Sequence, residues 1–181
     1  MLLDAEQSVV IVVDIQPKFM APIFEADRVL SRTKFLVSAA KLLGVPVLHT
    51  EQYPERMGGT EEEVQALIGQ PAFGKMAFSC CGSEEFMAAL EKTGATQAIL
   101  CGIESHICVN QTAHDLIDEE YDVVLATDAV SARTLEMHKL AVKRMRDLGV
   151  VTAHSESILY EWMGSADHPK FKEALQLVKE A

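Results

Sequence analysis

An alternation along the chain constrains the fold more than any other feature of the sequence. Short apolar runs follow Gln7, Gly44, Thr96, Tyr121 and Gly149, and each gives way to a stretch with helical spacing. Ser8 to Val13 reads SVVIVV, β-branched on both faces, a pattern that suits a strand covered by helices on each side of its sheet. Helices are predicted over Ala26 to Leu43 (ending at Gly44), Thr60 to Ile68 (Thr60 as cap, Glu63 in the capping-box position), Ser83 to Thr93 (ending at Gly94) and Leu135 to Leu148 (ending at Gly149). Strand and helix repeated in this order predict an α/β fold of three layers, Rossmann-like, with a mostly parallel sheet and helices on both faces. Val45 to His49, Ala98 to Cys101, Asp122 to Ala126 and Val150 to Ala153 supply further strands, and Lys75 to Ser79 makes the count about six.

Length and charge narrow the function. The 181 residues, 49% of them hydrophobic, suffice for one core, so residues 1–181 are read as a single domain. The first residues lack the apolar run of a signal peptide, and nowhere do about 18 uncharged apolar residues run together, so the expected setting is cytoplasmic, with no membrane partner. The four cysteines, Cys80, Cys81, Cys101 and Cys108, are too few for a disulfide scaffold and lack C-x-x-C spacing. A net charge of −11, with its 16 Lys and Arg scattered, argues against nucleic acid as a partner and against a nuclease.

The stretch AILCGIESHICVNQTAH, Ala98 to His114, carries the strongest chemical signal. An apolar strand closes at Gly102, a turn follows, and Ser105 is positioned to cap a helix starting near His106. Cys108 then falls in the first helical turn, where free N–H groups and the helix dipole favour a thiolate. Ligands of such sheets gather at the carboxyl ends of the strands, which makes Cys108 a candidate nucleophile. The same position suits a buried apolar filler, so its neighbours decide. Asp14, His49 and Asp128 also follow strands and are expected on the same rim. On the residues alone the base for Cys108 could be His49, His106 or Asp14.

VVDIQPKF around Asp14, FGKMAFS around Lys75 and GIESHICVNQTAHDL around Cys108 resemble, in order and spacing, the three motifs of the isochorismatase-like cysteine hydrolase superfamily. TEQYPERMGG is similar to the corresponding loop of its metal-independent subset, the isochorismatase domain-containing proteins. The resemblance implies a triad of Cys108 as nucleophile, Asp14 as proton shuttle and Lys75 as the cation between them. It also implies an oxyanion hole from the backbone N–H groups of Glu104 and Cys108, and a non-proline cis bond between Ile103 and Glu104.

The nicotinamidases of the superfamily carry a metal site near the second strand; here that region offers only His49 and Glu51, short of a ligand set, so no metal or other cofactor is expected. Retention of the cysteine favours hydrolysis of a C–N bond in a small amide- or carbamoyl-type metabolite through a thioester. Gln16, Phe19, Tyr53, Phe73 and Phe78 are the expected substrate-binding residues, with Trp162 as a wall contributed by a partner chain; besides Lys75, only Arg56 and Arg133 are candidates to meet a substrate carboxylate, and Arg133 reads rather as the start of a surface helix. The alternative is a catalytically weak family member acting as an oligomeric binding or scaffold protein. The resemblance implies a homo-oligomer, and Phe171, Leu175 and Val178 give the tail an amphipathic face for packing on the outside or on a neighbouring subunit.

Overall fold

The computed structural model describes residues 1–181. After a 3-10 turn the chain forms β1 (Ser8–Val13), α1 (Pro17–Met20), α2 (Ala26–Leu43), β2 (Val47–Gln52), α3 (Pro54–Met57), α4 (Glu62–Ile68) and β3 (Phe73–Lys75). A second 3-10 turn at Cys80–Gly82 leads to α5 (Glu84–Thr93), β4 (Gln97–Gly102), α6 (Cys108–Asp118), β5 (Asp122–Val130), α7 (Leu135–Leu148), β6 (Val151–Ala153), α8 (Ser155–Met163) and α9 (Phe171–Glu180). All six strands lie in one sheet of order β3-β2-β1-β4-β5-β6, and every neighbouring pair is parallel.

β1 shows why the β-branched run was informative. Val10 and Val12 enter one core with Leu36, Val37 and Ile158, whereas Val9, Ile11 and Val13 enter the other with Phe86, Val109 and Met145. Each of these five β1 side chains is at most 1% exposed, and burying one fully contributes roughly 1.5–3 kcal/mol. Helices α2, α4, α8 and α9 therefore cover one face and α5, α6 and α7 the other. None is long and apolar enough to cross a membrane.

Several local expectations hold: Ser83 accepts from the Phe86 N–H at the start of α5, and Gly44, Gly94 and Gly149 close their helices in the left-handed region. Others shift. β3 lies at Phe73–Lys75 rather than Lys75–Ser79, because Thr50 to Gln52 of β2 pair with Phe73 to Lys75. α4 is capped by Glu61, which accepts from the Glu63 N–H, while Thr60 is drawn away to donate both its N–H and its hydroxyl to Glu51. Trp162 is no wall for a partner: it is 6% exposed in the core and its Nε1 donates to Ser8 Oγ at 2.9 Å. The tail helix α9 packs on α2 of its own chain, with Ala174, Phe171, Leu177 and Val178 against that core.

Candidate active site

β1 and β4 lie side by side at the middle of the sheet, and the chain winds outward from that seam in opposite directions. Loops leaving the carboxyl ends of two such strands diverge and open a crevice between them. The pairing of β1 with β4 continues to Val13 and Gly102. Gly102 has φ +105°, and a Cβ there would meet the Val13 carbonyl oxygen at 2.1 Å, so only glycine lets the strands stay in contact to their last residues.

Asp14 leaves β1 at this crevice with φ 50°, and its N–H donates to the Thr50 carbonyl at 3.2 Å. Its Oδ1 accepts from Thr50 Oγ1 at 2.8 Å and its Oδ2 from Lys75 Nζ at 2.7 Å. Lys75, at the end of β3, is buried to 0% side-chain exposure beside an aspartate of 3%. Its ammonium also donates to Gln52 Oε1 at 2.7 Å and to the Phe78 carbonyl at 3.0 Å, so its donors are fully committed. A buried ion pair needs extra hydrogen bonds of this kind to offset the desolvation of both charges.

Cys108 is the first residue of α6. The helix starts two residues later than expected, and Ile107 precedes it with φ −119° and ψ −94° and no capping side chain. Ser105 does not cap; its hydroxyl is buried without a hydrogen-bond partner. The Ile103–Glu104 peptide is cis. Neither the Glu104 nor the Cys108 N–H finds an acceptor within the chain, which leaves both donors free for a ligand oxygen.

Asp14, Glu104 and Cys108 line a pocket of about 130 Å³ together with Gln52, and Phe19, Phe78, Ile103 and Ile107 make its apolar walls. The thiol does not ionise readily, contrary to the expectation from its helical position. Burial, and next the charge of the adjacent Asp14, push it up to about 12 against a smaller opposing pull from Lys75. Partial charges at a helix N-terminus are outweighed here by a full negative charge beside a thiol that is 8% exposed.

The remaining predicted residues separate. Phe19 and Phe78 are in the pocket; Gln16, Tyr53 and Phe73 are not. Gln16 is fully buried as a clamp, its Nε2 donating to the Gln52 and Gly58 carbonyls and its Oε1 accepting from the Gln52 N–H. Tyr53 lines a separate shallow depression with Pro54 and Gly74. Phe73 turns into the core, edge-on to Phe86 at 5.9 Å. Neither histidine offered as a base lines the pocket: His49 Nε2 is hydrogen-bonded to Gln65 Oε1 at 2.9 Å, and His106 Nδ1 lies 3.9 Å from the Glu104 carboxylate. Asp128 lies within β5 and does not line the pocket; it accepts from the N–H and hydroxyl of Ser155 at the start of α8. Arg133 is bonded to Glu104 at 3.1 Å.

Gln52, Ile103 and Ile107 line the pocket without having been expected there. Gln52 has a signal: alternate strand residues share a face, and β2 runs to Gln52, past the His49 at which the apolar run stops. No His, Cys, Asp or Glu side chains converge in threes as metal ligands.

An isochorismatase domain model matches residues 8–157. The chain is 38% identical over 178 residues to the secreted isochorismatase effector Isc1 of Phytophthora sojae, covering 96% of this chain and 85% of that protein. It is 34% identical over 166 residues to isochorismatase domain-containing protein 1 of Salmo salar, covering 92% of this chain and 59% of that one, so it spans well under two thirds of that relative's length. Among solved structures, the MAR1 ribonuclease from Caenorhabditis elegans superposes with a TM-score of 0.93 at 33% identity, over 99% of this chain and 93% of that chain. Fold and crevice together define an α/β protein of the hydrolase type with its pocket at the seam of a doubly wound sheet. The chain belongs to the isochorismatase family.

Proposed function

We propose that the protein hydrolyses a C–N bond of a small amide- or carbamoyl-type metabolite, with Cys108 as nucleophile, Asp14 as proton carrier and Lys75 as the cation that balances it. The observation that carries this reading is that Cys108 and Asp14 line one pocket while Lys75 holds Asp14 from behind. With a thiol raised to about 12 the resting nucleophile is protonated, so proton removal accompanies attack, and Asp14 is the adjacent acceptor.

In the first half-reaction the Cys108 proton passes to Asp14 as Sγ bonds to the carbonyl carbon. The developing oxyanion takes hydrogen bonds from the Glu104 and Cys108 N–H groups. Collapse breaks the C–N bond, the leaving nitrogen takes the proton from Asp14, and ammonia or an amine departs from a thioester. A water then gives its proton to Asp14 and attacks the thioester; the C–S bond breaks, the sulfur recovers the proton, and an acid is released. No oxidant or cofactor enters this sequence.

The ribonuclease title of the nematode structure belongs to that protein. In this chain two acidic residues and no lysine, arginine or histidine line the pocket, a lining that opposes a phosphodiester. The four cysteines are free thiols, which supports a reducing cytoplasmic setting. Association into a homo-oligomer has exposed apolar side chains to draw on, among them Leu135, Met137 and Leu140 of α7 and Met76 and Phe78 after β3.

A screen of primary amides, ureides and carbamoyl compounds for ammonia release tests the proposal. Release by the wild type that disappears with Cys108→Ala is the expected result. Absence of release across the screen would instead favour an oligomeric binding protein, and release that survives the substitution would remove Cys108 from the chemistry.

A further inference from the structure

Two acidic residues, Asp14 and Glu104, line the pocket, and no lysine, arginine or histidine does. Lys75 is close by in sequence terms to the Phe78 wall but sits behind Asp14, buried, with its donors spent on Asp14, Gln52 and the Phe78 carbonyl. Arg133 is half-exposed and is already paired with the Glu104 carboxylate. The rest of the wall, Phe19, Phe78, Ile103 and Ile107, is apolar. An anionic substrate group placed here would lose its water, meet two carboxylates and find no free positive partner.

We infer that the pocket selects an uncharged primary amide or ureide carrying an apolar group, and rejects carboxylate- and phosphate-bearing molecules. This rests on the proposed function in taking Cys108 as the reacting atom. The free N–H groups of Glu104 and Cys108 are the polar features available to orient the amide, Gln52 being held by Lys75 and the Met76 carbonyl, and the phenyl rings and isoleucines hold the remainder. Glu104 serves twice: its N–H, without an acceptor in the chain, is left for the substrate, and its charge is the specificity determinant that disfavours anions.

Chloroacetamide and chloroacetate, neutral and anionic reagents of one size, test this on the whole protein. In each case the Cys108 sulfur displaces chloride and forms a C–S bond, its proton going to Asp14 and then to solvent. Rates at Cys108 are read by peptide mass spectrometry and referred to the same pair of rates on 2-mercaptoethanol. The expected preference of Cys108 for the amide exceeds the reference preference at least tenfold, and Glu104→Gln reduces the excess several-fold. A preference equal to the reference, or one unmoved by Glu104→Gln, would overturn the inference. A strong preference in a protein that hydrolyses no amide would leave the neutral-ligand pocket standing and sink the hydrolase reading. Alkylation of Cys108 by neither reagent would sink both. In turnover, 4-methylpentanamide is expected to exceed succinamate, its near-isosteric anion, by at least thirtyfold in kcat/KM.

Discussion

Cys101 and Cys108 belong to one strand-loop-helix unit and share a thiol pushed up to about 12, chiefly by burial. Their surroundings differ. Cys101 ends among the core side chains of β4, 0% exposed, its Sγ donating to the Ile11 carbonyl at 3.7 Å. Cys108 opens on a pocket, beside a carboxylate that accepts from a buried lysine and a threonine. Ease of ionisation does not separate the two. What separates them is a proton acceptor beside the sulfur and an opening in front of it, which is the arrangement that nucleophilic attack by a protonated thiol requires.

The comparison is broken most severely by removing each sulfur in turn. Cys108→Ala is expected to lower turnover by about 10³-fold or more, with Tm within a few degrees of wild type, whereas Cys101→Ala keeps turnover and loses about 1 kcal/mol of stability to a small cavity. Steady-state ammonia release and thermal melts read both. Equal losses of turnover would erase the distinction.

Asp14→Asn should make Cys108 more like Cys101 by removing its proton acceptor, lowering kcat by about 10²- to 10⁴-fold. The sign for the thiol is opposite to the sign for activity. The Asp14 charge raises Cys108, so its loss lets the thiol ionise at a lower pH, still above the ordinary range because burial remains. The pH dependence of Cys108 alkylation should therefore move downward while turnover falls.

Lys75→Met strands the buried Asp14 without its cation. About 3–5 kcal/mol of stability should be lost, a fall of roughly 10 °C in Tm for a chain of this size. A melt within a degree or two of wild type would show that Asp14 does not depend on this partner.

Alkaline pH sharpens the likeness of the two sulfurs instead. Cys101 and Cys108 keep their protons in the folded chain to about 12, against an ordinary 9.0. Between these values the folded state holds more protons than the unfolded state, so stability falls as pH rises above 9, by on the order of 1 kcal/mol per pH unit for a fully buried thiol. Tm measured from pH 9 to 11 should decline, and less steeply in Cys101→Ala. The smallest effect is expected of Arg133→Ala, whose pair with Glu104 is half-exposed and contributes about 0–1 kcal/mol.

The doubly wound frame was legible because it depends on patterns that survive without tertiary context: β-branched runs such as Ser8–Val13, and glycines that end helices after Leu43, Thr93 and Leu148. Asp14, Lys75 and Cys108 were legible through motif resemblance, and the fold places them past β1, at the end of the edge strand β3 and on the helix that follows β4. The pocket wall was not legible in the same way. Phe73 and Phe78 are alike as letters, yet the pairing of β2 with β3 turns one ring toward Phe86 while the other lies past the strand end. Gln16 could bind a ligand or the chain, and the carbonyls of Gln52 and Gly58 claim it. Ser105 fails as a cap because the backbone at Ile107 carries the chain into α6 without using its hydroxyl. The thiol's resistance to ionisation depends on burial and on a carboxylate distant in sequence, neither of which the helix position reveals.

The most direct test of the account is to quench the protein with acid during turnover of a primary amide and weigh it. A covalent acyl group on the peptide containing Cys108, absent from Cys108→Ala and from the Cys101 peptide, is the predicted result. Sustained ammonia release under the same conditions with Cys108 unmodified, and undiminished in Cys108→Ala, would contradict it.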